Sequence, residues 1–151
     1  MGYPIKEVDN HFYRSSRPTK DQLAQWKMSY DIGAVLNLEG DTPADVDIEK
    51  TNCYQLGIDE SYLMLSGVYR PTANALREGV SYVQANQIAN IPVLTHCLYG
   101  VNRTGMVCAA YRIMVQDWDI ERAWQECLSY DFLKWVPLRW WKKTLYDLKE
   151  G

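Results

Sequence analysis

The stretch IPVLTHCLYGVNRTGMVCAAYRIM, residues 91–114, decides the fold. A short β-rich run, Ile91 to Thr95, passes through a glycine-bearing loop into an amphipathic helix that begins near Arg103. Strand, loop and helix N-terminus in that order make an anion cradle, because loop amides point inward and the helix end carries about half a positive charge. Cys97 sits inside that cradle. The amides, the helix end and the Arg103 guanidinium all favour thiolate over thiol, and comparable settings lower a cysteine pKa from about 8.5 to roughly 3.5–7.5. The pattern therefore predicts a Cys97 that is ionised at neutral pH.

Around Cys97 the residue types fit a phosphate site. The backbone of Leu98, Tyr99, Gly100, Val101, Asn102 and Arg103 is expected to bind phosphate oxygens. Arg103, six residues after Cys97, can grip two of those oxygens with its planar fork, which a lysine cannot do. Gly100 allows a backbone conformation closed to other residues, and the Thr104 hydroxyl is placed to hydrogen-bond the Cys97 sulfur when it becomes a leaving group. His96 is expected to orient the loop through its ring nitrogens, since an ionised thiolate needs no base.

Outward from this segment, Ala34 to Leu38 and Tyr62 to Leu65 read as further strands, with a fourth at His11 to Arg14. Helical patterns separate them. Thr19 to Gln22 forms a capping box before Leu23 and Trp26. Thr42 and Pro43 start a second helix that Gly57 stops. Thr72 opens a third, with Leu76, Val80 and Val83 on one face despite about 1 kcal/mol for Gly79. Arg103 to Gln116 and Ile120 to Ser129 follow, the second with Ile120, Ala123, Trp124, Cys127 and Leu128 in a buried stripe. A last helix starts near Pro137, with Leu138, Trp141, Leu145 and Leu148 inward and Lys142, Lys143 and Lys149 outward. Strands alternating with helices predict an α/β fold: a central, mainly parallel sheet of four to five strands with helices on both faces, and the cysteine loop between the last core strand and a central helix.

The composition narrows the function classes. At 151 residues with no repeat or linker-like run, the whole chain, residues 1–151, is expected to share one core. With 19 acidic and 16 basic side chains the net charge is -3, which argues against a general nucleic-acid or anionic-membrane surface. The most apolar stretch, Gly105 to Val115, is interrupted by Arg112, and the opening MGYPIKEVDN resembles neither a secretion signal nor a myristoylation signal. The four cysteines, Cys53, Cys97, Cys108 and Cys127, include no CxxC pair and are expected as free thiols. A cytoplasmic location is the resulting expectation. Six Trp and eleven Tyr are expected in core and rim, Tyr69 and Tyr99 among the rim candidates.

HCLYGVNRTG, residues 96–105, resembles the HCxxGxxR(S/T)G signature loop of the cysteine-dependent protein tyrosine and dual-specificity phosphatases, with six fixed residue types in ten positions. FYRSSRPT (12–19) and GAVLNLEGD (33–41) are similar to segments of the small atypical dual-specificity phosphatases, and AAYRIMVQDWDIERAWQE (109–126) resembles the helix pair that follows their loop. The resemblance implies a metal-independent phosphatase without cofactor: Cys97 attacks phosphorus, a phosphocysteine forms, and water hydrolyses it while Arg103 and the loop amides hold the equatorial oxygens.

The family also places an aspartic acid on the loop after the strand preceding the signature strand, for a gain of about 10²–10⁴-fold. Here that loop reads Ser66-Gly67-Val68-Tyr69-Arg70-Pro71 and holds no carboxylate. Ligands bind beyond the carboxyl ends of parallel strands. Asp59, which precedes its strand, is therefore rejected as a substitute acid, whereas Asp41 and Asp131 are expected at the active edge, Asp41 entering as the candidate general acid. A site without an acid favours leaving groups that are already stable anions. Gly100 to Gly105 is also similar to the loop of cysteine-type RNA 5′-triphosphatases, so a phosphoanhydride at an RNA 5′ end stays open as a substrate beside phosphoproteins and inositol phosphates. A phosphate-binding module with weak catalysis is the other alternative. Arg17, Lys20, Arg70 and Lys134 are candidate contacts for a polyanion, and Glu39 stands where related sequences often carry a base.

Overall fold

The computed structural model describes residues 4–39, 43–130 and 138–150. Five strands, β1 (Lys6–Asp9), β2 (Phe12–Ser15), β3 (Ala34–Glu39), β4 (Asp59–Leu65) and β5 (Val93–His96), form one sheet in the order β1-β2-β5-β3-β4. All neighbours are parallel except β1 and β2, which form an antiparallel hairpin. The helices are α1 (Lys20–Tyr30), α2 (Pro43–Leu56), α3 (Ala73–Ile88), α4 (Asn102–Met114), α5 (Ile120–Leu128) and α6 (Leu138–Asp147). The predicted α/β architecture, with its mainly parallel sheet and helices on both faces, is the one observed.

Right-handed crossovers decide which helix covers which face. The connections β2–α1–β3 and β3–α2–β4 move along the sheet in one direction, and β4–α3–β5 returns in the other. Accordingly Leu23 and Trp26 of α1 and Cys53 of α2 pack with Val35 and Leu94 on one face. On the other face Ala34, Leu36 and Val93 pack with Leu76, Val80 and Val83 of α3, Met106 and Val107 of α4, Trp124 of α5 and Trp141 of α6. The return connection drops β5 between β2 and β3, so the strand that carries Cys97 at its end lies at the middle of the sheet, its backbone paired on both sides.

Local signals account for the element ends. Thr19 caps α1 by accepting from Gln22 N while the Gln22 side chain bonds back to Thr19 N. Thr72 and Asp119 cap α3 and α5 by accepting from Ala75 N and Arg122 N. Gly57, at φ +69°, ends α2. Gly79 lies where α3 passes Val107 of α4 and Leu63 of β4, at a distance where an added Cβ would make ordinary contacts of 3.4–3.5 Å.

Three expectations need correction. β1 was not predicted, because KEVD on a largely exposed edge carries no apolar alternation. His11 lies in the β1–β2 turn at φ +60° rather than in a strand. β4 starts at Asp59 instead of Tyr62, its polar opening tolerated because β4 is the other edge of the sheet. The inward side chains of α6 include Trp141 and Leu145, both at 0% exposure, and the Leu138 side chain lies outside the described residues. Among the described residues, no helix is long and apolar enough to cross a membrane.

Since Leu145 joins α6 to the larger core cluster, Leu145→Ala is expected to lower the unfolding free energy by about 2–5 kcal/mol. Urea denaturation followed by tryptophan fluorescence measures it.

Candidate active site

The β5 ladder ends at His96, which pairs with Ser15 of β2 and Asn37 of β3. Cys97 is the next residue, 3% exposed, at the carboxyl edge of the sheet. The chain then turns through Leu98 to Val101 and enters α4 at Asn102. Val101 at the N-cap supplies no side-chain hydrogen bond, so no capping group stands between the first turn of α4 and an incoming anion.

Gly100 sets the curvature of this loop. Its φ is +74°, and a Cβ there would lie 2.6 Å from the carbonyl carbon and oxygen of Ser15 and 2.7 Å from Ser16 N. Both left-handed backbone and close approach to β2 exclude a side chain. Arg14, 3% exposed, holds the same point by donating from Nη2 to Gly100 O at 2.9 Å. Its guanidinium stacks on the Tyr130 ring, 3.8 Å from the centroid. Arg17 N donates to Leu98 O at 3.1 Å. The loop is thus hung from the end of β2.

Of the residues predicted from sequence, the structure brings four together. Thr104 Oγ1 donates to Cys97 Sγ at 3.1 Å, and both are buried. The Arg103 side chain, 6% exposed, reaches across to donate from Nη1 to Leu65 O, 3.4 Å away at the end of β4. His96 is fully buried, with Nδ1 3.3 Å from Cys97 O. Tyr99 and Tyr69 are 56% and 77% exposed, as rim residues would be.

This buried cysteine, its hydroxyl partner and the arginine one residue earlier all lie in a segment that the dual specificity phosphatase catalytic-domain model matches over residues 13–143. The chain belongs to that family. A stretch of 35 residues is 57% identical to the dual specificity protein phosphatase TpbA of Pseudomonas aeruginosa, covering 23% of this chain and 16% of that protein, so the match spans a small part of the curated relative. The TpbA crystal structure from P. aeruginosa superposes with a TM-score of 0.69 at 26% identity over 82% of this chain and 71% of that one. Tk-PTP in its active form gives 0.79 at 21% identity over 97% and 96% of the two chains. The catalytic core of the PP-IP phosphatase SIW14 from S. cerevisiae gives 0.74 at 20% over 97% and 86%. The last two show a shared fold.

Within this phosphatase domain several functional neighbours escaped the sequence reading. Glu49 of α2 accepts from His96 Nε2 at 2.7 Å, and Glu39 Oε2 lies 3.6 Å from Nδ1. Burial pushes the Glu49 carboxyl up, but the attraction and hydrogen bond of His96 outweigh it and hold the carboxyl below its ordinary range. Glu39, 2% exposed, is bound through both oxygens by Arg17 Nε at 3.0 Å, and Arg17 also pairs with Asp45 at 3.3 Å. The acidic residue after NL therefore has a structural partner. The signal for the Glu39–Arg17 pair was present in FYRSSRPT and NLE, but 22 residues separate them and no local spacing rule connects them.

The candidate polyanion contacts are placed otherwise. Arg70 donates to Thr144 Oγ1 at 3.0 Å and Asp147 Oδ2 at 3.1 Å, fastening the loop after β4 to α6. Lys20 bonds Gln55 on α2. Asp59 sits at the start of β4, opposite Ala34, at the far edge from Cys97. Asp41, Asp131 and Lys134 lie outside the described residues. The other three cysteines, Cys53, Cys108 and Cys127, are buried free thiols, and burial pushes each of their pKa values up, Cys53 to about 12.

Gly100→Ala places a methyl group against the Ser15 backbone. It is expected to weaken orthovanadate binding about tenfold or more, equivalent to one lost charge-assisted hydrogen bond of about 1.5–3 kcal/mol. Calorimetric titration checks this, with circular dichroism showing the secondary structure retained.

Proposed function

We propose that residues 1–151 act as one catalytic domain, a metal-independent phosphatase that hydrolyses phosphate esters or anhydrides through a phosphocysteine on Cys97. The observation that carries this reading is the 3.1 Å hydrogen bond from Thr104 Oγ1 to Cys97 Sγ inside a loop wound around an uncapped helix end. That bond stabilises charge on sulfur both before attack and when sulfur departs.

In the first step the Sγ–P bond forms as the P–O bond to the leaving group breaks. In the second, water adds to phosphorus, the Sγ–P bond breaks, and inorganic phosphate leaves. Arg103 grips two equatorial oxygens with its fork, and the backbone amides of Leu98, Tyr99, Gly100, Val101, Asn102 and Arg103 bind the oxygens that face the loop. His96, held by Glu49 on one side and set against Cys97 O on the other, keeps the loop in register. Asp41 is the proposed source of a proton for leaving groups that need one.

The substrate class follows from the loop after β4. Ser66 to Pro71 holds no carboxylate, its turn closed by Ser66 Oγ accepting from Val68 N and Tyr69 N. A leaving group that is already a stable anion suits such a site: a phosphoanhydride or an acidic phenol before an alkyl phosphate. Structures of the same fold include a PP-IP phosphatase, TpbA with pTyr and PTPMT1 with PI(5)P, so the cradle itself accepts diverse phosphorylated ligands and the leaving group becomes the discriminator.

Cys97→Ser is expected to abolish turnover while phosphate or vanadate binding remains measurable, and retained turnover would end the proposal. Arg103→Lys is expected to lower kcat/KM by about 10²-fold or more, since a point charge cannot make the two-pronged contact. Steady-state kinetics on a phosphoanhydride, phosphotyrosine and an alkyl phosphate should rank kcat in that order, and equal rates across the three would refute the leaving-group reading.

A further inference from the structure

Behind His96, on the face of the sheet covered by α1 and α2, the line of polar contacts does not end at Glu49. Asn37 of β3 stands beside His96 in the sheet, and Glu60 of β4 pairs with Val35, two residues before Asn37. The Glu60 carboxyl hydrogen-bonds both Glu49 and Asn37. Glu49 and Asn37 are buried, and although Glu60 is a partly exposed residue of the edge strand, both its carboxyl oxygens are shut off from solvent. Each neighbour has one way left to bond it. Asn37 Oδ1 already accepts from Glu39 N at 2.9 Å, so its amide nitrogen is the group that can donate to Glu60. Glu49 Oε2 already accepts from His96 Nε2 at 2.7 Å. Two carboxyl groups bond each other only through a proton that one of them keeps. His96 decides which one: its attraction favours an ionised Glu49, so the proton stays on Glu60.

We propose that Glu60 is a positioning residue for the phosphate loop: its carboxyl O–H donates to the Glu49 carboxylate, fixes that side chain against His96, and so holds the ring that faces the Cys97 carbonyl. The distances connect end to end. Glu60 and Glu49 present carboxyl oxygens within 4.8 Å of each other, Glu49 meets His96 at 2.7 Å, and His96 Nδ1 lies 3.3 Å from Cys97 O. Without a donor behind it, a desolvated Glu49 carboxylate is answered on one oxygen only, and a half-satisfied buried network loses its fixed geometry. The effect on turnover rests on the phosphocysteine reading of Cys97, whereas the effect on the His96 ring does not.

The arrangement has a pH dependence of definite sign. Burial, the hydrogen bond to Glu49 and the Glu49 charge push the Glu60 carboxyl up to about 9, against which the Asn37 amide and Lys50 pull only in part. The groups that face it are thus Glu49, Lys50 and Cys53 of α2 and Asn37 of β3. Burial pushes the Cys53 thiol up to about 12, so it stays neutral over the range in which Glu60 titrates. Asp59, the preceding residue of β4, accepts from Tyr82 on the α3 side of the sheet. Because the Glu60 value is raised, its O–H is present at neutral pH and passes to solvent as pH climbs through that value. Two adjacent carboxylates then repel, and Glu49 loses its support behind His96.

Proton NMR of the full chain, paired with steady-state kinetics on an aryl phosphate, tests this. The protein has two histidines, so a downfield ring N–H signal that survives His11→Asn belongs to His96. We expect that signal at neutral pH, an upfield shift as pH rises through about 9, and a fall in kcat/KM over the same range. Glu60→Gln offers an amide that donates to Glu49 and an oxygen that accepts from Asn37, without titrating. There the signal shift and the kinetic limb should both move above that range, with kcat/KM at pH 7 within about twofold of wild type. Glu60→Leu should shift the signal already at pH 7 and lower kcat/KM about tenfold. A purely structural role would lower the melting temperature and leave the His96 signal and its pH course in place. Absence of the signal in the wild-type chain overturns the proposal. So does an identical pH course in wild type and Glu60→Gln, or a Glu60→Leu chain that matches wild type in both measurements. Should Glu60→Leu fold poorly, the comparison of wild type with Glu60→Gln decides. A wild-type chain that shows the signal but no turnover refutes the phosphatase reading instead, and the spectroscopic comparison still decides this one.

Discussion

The contact on which the rest of the structure depends is the approach of Gly100 to the Ser15–Ser16 backbone. A loop that must leave the middle of a sheet, circle a sulfur atom and enter a helix within six residues has no slack. Fixing its outermost point against β2 determines where every amide in it points. This is also why β1 and β2 matter to chemistry that occurs on β5. The hairpin contributes no group to the cradle, yet it forms the wall against which the cradle is shaped.

Burying that wall brings charge into the interior, and the protein neutralises it in short chains instead of leaving it to solvent. Arg14 is met by one carbonyl and one aromatic face, with its Nε left without a hydrogen-bond partner among the described residues. Arg17 answers Glu39 and Asp45, and Glu49 answers His96. The last two sets join α2 and the segment before α1 to the ends of β3 and β5. Breaking the Glu49–His96 pair leaves a desolvated charge on or beside the residue that precedes the nucleophile, where the low dielectric makes its field count. Rigidity of the site and its electrostatics are therefore supplied by the same residues.

The order of strands and helices, both covered faces, and the contents of the cysteine loop were legible in the sequence because they are local signals. A capping box, a hydrophobic stripe or a ten-residue motif can be read within a single window. The partners of His96 and Gly100 were not legible for the opposite reason. Glu49 is 47 positions from His96, and Arg14 is 86 from Gly100. Such pairs are specified by strand order, which puts β5 between β2 and β3, and no spacing rule encodes strand order. β1 escaped because an edge strand with a solvated face need not alternate. Arg70 was misjudged because a cation in a loop beside an anion site reads as a ligand contact until α6 is seen to supply Thr144 and Asp147.

That last arrangement bears on the chemistry. The resemblance leads one to look for a mobile acid loop after β4, but here the loop is closed on itself by Ser66 and fastened to α6 by Arg70, with Thr144 Oγ1 also donating to Pro71 O at 2.7 Å. Holding the segment this way costs the freedom an acid needs to swing over a substrate and then withdraw for water. It also leaves Arg103, anchored at Leu65 O on the edge of the same segment, with a fixed rest position. Under the leaving-group proposal, selectivity follows from the departing anion: the more stable it is, the less a carboxylate in this loop matters.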